Sequence, residues 1–192
     1  MNIASYKTGK EMATDYERPG VTTFQVRAEI FVAAPADKVY EVVSDLGRSG
    51  EWSPECQGGT WIQGEPSTVG AVFEGKNLRG AEAVPWAPVI RGEWSTLSEV
   101  VEAVPGSVFR WIILTSAGER QESTWSFEIS PADGGVVLVH HYRLGRLTEG
   151  LSKIFASLDE AGRERFVKDW NAKLAVDVER TVAGIKRVIE GV

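Results

Sequence analysis

Residues 159–190 read DEAGRERFVKDWNAKLAVDVERTVAGIKRVIE. Phe166, Trp170, Leu174, Val178, Val182, Ile185 and Ile189 recur every three or four positions with no proline between them, the period of one long amphipathic helix. A helix of roughly 30 residues is about 45 Å long. That is too long for a peripheral decoration of a 192-residue chain, so the helix is expected to lie across a sheet built by the rest.

Upstream, Phe24, Val26, Ala28, Ile30 and Val32 alternate with Gln25, Arg27 and Glu29, which gives a first half-buried strand. A short helix follows from Pro35, carried by Val39, Val42, Val43 and Leu46 and stopped at Gly47. The segment from Gly47 to Gly59 is dense in turn formers and reads as a structured loop with room for one helical turn. Six further strand signals lie at residues 60–63, 70–78, 91–104, 108–115, 121–130 and 136–144. The breaks at Pro105-Gly106, Ala117-Gly118 and Asp133-Gly134-Gly135 are short enough for hairpins, so the seven strands are expected to form an antiparallel sheet in an α+β fold. Residues 1–20, polar, aperiodic and closed by Pro19-Gly20, read as a flexible arm, and residues 21–192 as a single domain.

The 21 Lys and Arg against 27 Asp and Glu leave a net charge of −6 with no basic run, which argues against nucleic acid as a partner. No stretch approaches the 18 apolar residues of a membrane span, and the charged N-terminus lacks a signal peptide's apolar segment, so a cytoplasmic protein without membrane insertion is expected. Cys56 is the only cysteine, which excludes an intrachain disulfide, and it has no zinc-site spacing with the two histidines. Nothing basic beside it in sequence would activate its thiol. A phosphate-cradling Gly-rich loop, paired metal ligands and a serine-nucleophile elbow are missing as well, so neither metal nor cofactor is expected.

The segment IFVAAPADKVYEVVSDLGRSGEWSPE, residues 30–55, runs from a strand ending in Ala-Pro through a Val-rich helix and an Asp-containing turn to a Trp-Ser-Pro loop. It resembles the opening of bacterial polyketide cyclase/dehydrase-like members of the SRPBCC superfamily. Gly70, Phe73, Gly75 and Asn77, in GAVFEGKN, continue that pattern. The resemblance implies the helix-grip fold, a curved seven-stranded antiparallel sheet around a long C-terminal helix, with a cavity between them. It implies binding or carriage of a hydrophobic, aromatic or polycyclic small molecule, as in START-like lipid-transfer domains. The same scaffold also hosts polyketide cyclases, aromatases, dehydratases and enediyne self-resistance proteins, so whether this chain is an enzyme stays open.

Tryptophans mark the expected cavity. Strand alternation places Phe73 with Asn77, Trp94 with Thr96 and Ser98, Phe109 with Trp111, and Trp125 with Phe127 on one face. The long helix faces them with Phe166 and Trp170, and the Trp52 loop closes one end. Together with Trp61 these are the candidate ligand contacts, Ser98 apart. Core filling is the rival reading, weakened by Asn77, Thr96 and Ser98, whose polar groups on an apolar face need hydrogen-bond partners.

His140 and His141 are adjacent in the last strand and point to opposite faces, so only one can reach the cavity as a catalytic acid or base. Val137 and Val139 share a face with His141, which favours His141 over His140, whose face holds Val136, Leu138 and Tyr142. A histidine simply hydrogen-bonded across the sheet is the favoured reading, because spacing identifies neither a nucleophile nor an orienting carboxylate beside it. Asp45, Arg48, Glu51 and Glu55, around the Trp52 loop, read as solvated charges.

Overall fold

Apolar residues at every second position of Phe24–Val32 bury Phe24, Val26, Ala28 and Val32 and make that segment strand β1. The computed structural model describes residues 23–191. After β1 come helix α1 (Ala36–Ser44), a 3-10 turn (Leu46–Glu51), β2 (Cys56–Gln63), β3 (Val72–Arg79), β4 (Gly92–Val104), β5 (Val108–Leu114), β6 (Arg120–Ala132) and β7 (Gly135–Leu144). Helices α2 (Glu149–Ala156) and α3 (Glu160–Glu190) close the chain. The flexible arm expected over residues 1–20 lies outside the described residues.

All seven strands join one curved antiparallel sheet in the order β1-β7-β6-β5-β4-β3-β2. From β2 to β7, sequence neighbours are sheet neighbours, as the Gly and Pro breaks require. Gly118 and Gly134, at φ +82° and +76°, supply the left-handed residue of two hairpin turns. The 31-residue α3 starts at Asp159, whose Oδ1 accepts from Gly162 N at 2.8 Å, and stops at left-handed Gly191.

Helix α3 contributes to two cores. Trp170, Leu174, Val178 and Val182 pack with Phe24, Val26 and Leu144 in one, while Ile185 and Ile189 pack with Val39, Val43, Phe109, Phe127 and Leu138 in the other. At Gly184 the helix comes so close to the Trp52 backbone that a Cβ there would lie 2.6 Å from the Trp52 carbonyl oxygen. Among the described residues no helix is long and apolar enough to cross a membrane.

Three local features differ from the sequence reading. Strand β2 begins at Cys56 rather than residue 60, because Cys56 pairs with Asn77 ahead of a bulge that breaks the alternation. Helix α1 ends at Ser44, short of Gly47, and Asp45 Oδ1 accepts from Gly47 N at 3.1 Å to open the 3-10 turn. Helix α2 was not expected. Thr148 Oγ1 caps it by accepting from Leu151 N at 3.4 Å, and Leu151 and Phe155, four apart, bury its inner side.

Candidate ligand-binding site

Between the inner sheet face and the middle of α3, from Trp170 to Thr181, lies a cavity of about 600 Å³. Every second residue of successive strands reaches it: Phe73, Gly75, Asn77 and Arg79 of β3, Trp94, Thr96 and Ser98 of β4, Trp111 and Ile113 of β5, Ser123 and Trp125 of β6, and His140 and Tyr142 of β7. Trp170, Lys173, Leu174, Asp177 and Val178 line it from α3, Leu151 and Ile154 from α2, and Trp52 and Glu55 from the loop before β2.

Strand register builds a flat aromatic wall. Trp111 faces Trp125 across β5 and β6, and Trp125 faces Tyr142 across β6 and β7. The Trp111 and Trp125 rings stack with centroids 6.5 Å apart at 11°, and Trp125 stacks on Tyr142 at 4.1 Å. Trp52 meets the buried Phe127 edge-on at 5.5 Å. Inside the wall Asn77 Nδ2 donates to Thr96 Oγ1 at 3.1 Å, so these two polar residues satisfy one another. The indole N–H groups of Trp52 and Trp94 are buried without a hydrogen-bond partner.

His140, and not His141, is the inward histidine. His140 pairs directly with Phe127, so the parity of β7 follows the buried face of β6, which overturns the lean to His141 drawn from Val137 and Val139. Its Nδ1 donates to Ser126 O at 3.0 Å, which leaves Nε2 as the lone-pair nitrogen. Burial pushes the imidazole down to about 4 against the opposing effect of that hydrogen bond, so the ring is neutral at pH 7. Burial likewise pushes the Tyr142 phenol up to about 12, and Ser123 Oγ lies 3.4 Å from its hydroxyl. His141 points to the outer face, its Nε2 3.2 Å from Gln25 Nε2.

A charged quartet occupies one side of the cavity. Arg79, 8% exposed, donates through Nε to Glu55 Oε1 at 2.6 Å and through Nη2 to Glu55 Oε2 at 3.1 Å. Its guanidinium carbon sits 4.7 Å from the Trp94 ring centre and 5.0 Å from that of Trp170. Lys173 Nζ lies 2.6 Å from both Glu55 Oε1 and Asp177 Oδ2. Burial raises the Glu55 carboxyl, but Arg79 and Lys173 together outweigh it and hold the group below the usual carboxylate range. At Asp177 burial prevails over Lys173 and the carboxyl is raised. Glu55 is therefore not a solvated loop charge. Arg48 and Glu51 are, forming an exposed pair at 2.7 Å.

Of the candidate contacts, Trp52, Phe73, Asn77, Trp94, Thr96, Trp111, Trp125 and Trp170 line the cavity. Trp61, Phe109, Phe127 and Phe166 do not. Trp61, on the edge strand, packs on Phe73 at 5.2 Å. Phe109 and Phe127 are fully buried in the core shared with α1, with Tyr40 edge-on to Phe109 at 6.3 Å. Phe166 is covered by Phe155 at 5.6 Å and Trp86 at 6.5 Å. The sequence reading missed Arg79, Lys173 and Asp177. Only the four-residue spacing of Lys173 and Asp177, on the helix face that carries Trp170 and Leu174, pointed to any of them.

A family model described as polyketide cyclase / dehydrase and lipid transport matches residues 23–190. Among solved structures, the polyketide cyclase-like protein Cgl2372 of Corynebacterium glutamicum is 26% identical, with a TM-score of 0.59 over 89% of this chain and 93% of its own. The di-domain ARO/CYC protein StfQ of the steffimycin pathway has a TM-score of 0.64 at 14% identity, over 95% of this chain and 53% of its own. Its counterpart BexL of the BE-7585A pathway has 0.63 at 16%, over 94% and 54%. At those identities the two share the fold, and this chain spans about half their length. No curated protein matches the sequence.

Proposed function

Because the chain belongs to the polyketide cyclase / dehydrase and lipid transport family, we propose that it binds or carries a flat, largely apolar small molecule in the cavity between sheet and α3. The observation that carries this reading is the Trp111, Trp125 and Tyr142 wall on a space of about 600 Å³, inside the ~300–1,000 Å³ range of small-molecule sites. Titration with N-phenyl-1-naphthylamine, a neutral fluorescent aromatic, tests it. Saturable binding is expected, weakened about tenfold by Trp125→Leu through the loss of one stacking surface. Absence of saturable binding to the folded protein overturns the proposal.

A second reading, cyclase, aromatase or dehydratase chemistry, is supported by Lys173 and Asp177 on the cavity wall, a proton donor and acceptor 2.6 Å apart. It requires that Lys173→Met abolish cyclisation of a poly-β-ketone chain while the naphthylamine still binds.

A further inference from the structure

The charge arithmetic of the cavity wall restricts the ligand further, given that the cavity binds one. Arg79 and Lys173 carry two positive charges, Glu55 and Asp177 two negative, and the four form one continuous set of contacts. Lys153, the remaining charged side chain at the cavity, lies on the rim, 75% exposed and paired with Glu149 at 3.0 Å. The quartet is thus self-neutralised, and Trp94 and Trp170 flank its guanidinium. An anionic head group placed beside it would leave one negative charge without a partner in apolar surroundings, and a cationic one the reverse.

Hydrogen-bonding capacity is nevertheless left over. An arginine has five N–H bonds, and Arg79 commits three, two to Glu55 and one to Ile90 O at 3.2 Å. An ammonium has three, and Lys173 commits two. Only Oδ2 of Asp177 is taken up by Lys173, which leaves Oδ1 as an acceptor. Such a site suits a group that both accepts and donates without being charged.

From this balance we infer that the cavity selects an uncharged aromatic ligand bearing a head group that accepts from Arg79 or Lys173 and donates to Asp177, such as a carboxamide or a hydroxyl beside a carbonyl, and rejects the corresponding carboxylate. The inference rests on the binding reading above. Specificity here comes from a penalty on the wrong charge as much as from contacts to the right one.

A matched pair tests it: 2-naphthamide and 2-naphthoate at pH 7, each displacing N-phenyl-1-naphthylamine. The amide is expected to compete at least about tenfold more tightly than the carboxylate. Glu55→Gln keeps hydrogen-bonding atoms beside Arg79 but gives the quartet one positive charge, so the preference should shrink to about unity or invert. Asp177→Asn makes the same charge change from α3 and should move the ratio in the same direction. If the naphthylamine binds and wild type takes both ligands equally or prefers the carboxylate, the inference is overturned and the binding reading stands. An unchanged ratio in whichever variant folds overturns it too. Should the naphthylamine fail to bind wild type, both fall together.

Discussion

The His140 imidazole lies against the Phe127 ring, centroids 4.3 Å apart and planes inclined by 20°, with its Nδ1 tied to Ser126 O. A histidine held neutral by such packing couples stability to pH. Its folded value of about 4 lies below the 6.5 of an unperturbed imidazole, so the unfolded chain takes up a proton first as pH falls. The stability present above about pH 6.5 is therefore lost as pH drops toward about 4, by a few kcal/mol. His140→Phe keeps an aromatic ring in the stack and should flatten that slope in urea unfolding measured between pH 7 and pH 5. An equal slope in the variant would place the acid sensitivity elsewhere.

Trp111 and Phe127 are in tilted ring contact at 5.5 Å but differ in what lies behind them, cavity for Trp111 and packed core for Phe127. Phe127→Ala should cost about 3–5 kcal/mol, as full cavity creation does, and Trp111→Ala about 2 kcal/mol or less because its far side already opens on space. Denaturant midpoints of the two variants decide the order.

Glu55 is the hub of the quartet: removing it leaves Arg79 without a carboxylate, while Lys173 keeps Asp177. Glu55→Ala should destabilise by about 3 kcal/mol, and adding Arg79→Met should recover part of that loss rather than deepen it. A double-mutant cycle in which the two losses simply add would mean that the pair is not coupled.

At Gly184 two effects oppose each other. Alanine favours a helix by about 1 kcal/mol over glycine, but its methyl would press on the Trp52 backbone at a cost of about 1–3 kcal/mol. Gly184→Ala should therefore lower Tm and also weaken probe binding, because relief requires the Trp52 loop to move. A surface glycine replaced in the same way would raise Tm, and that result at Gly184 would refute the contact.

The sheet and α3 were legible because their signals are local: alternation along each strand, and a three-to-four repeat held from Phe166 to Ile189 with no interruption. Helix α2 offered only Leu151 and Phe155, too short a repeat to register. The inward histidine could not be read because β7 is apolar on both faces, and parity is set by a neighbouring strand. The quartet was illegible for a related reason. Glu55 meets Arg79 across 24 positions and Lys173 across 118, so charges that look solvated one by one become a unit only in three dimensions. Phe166 shares its helix face with Trp170, yet the cavity stops between them, where Phe155 and Trp86 intrude from segments whose placement no periodicity gives.

Helix α3 is backed by packed core around Ile185 and Ile189 and borders the cavity between Trp170 and Thr181. The molecule is therefore unevenly compressible. Hydrostatic pressure favours whichever state occupies less volume, and unfolding eliminates internal voids, with volume changes typically of about −20 to −100 mL/mol. Whatever part of the space of about 600 Å³ water does not fill adds to that loss of volume. A molecule that fills the space removes part of the volume lost on unfolding, so occupancy becomes readable as resistance to pressure even before the occupant is identified.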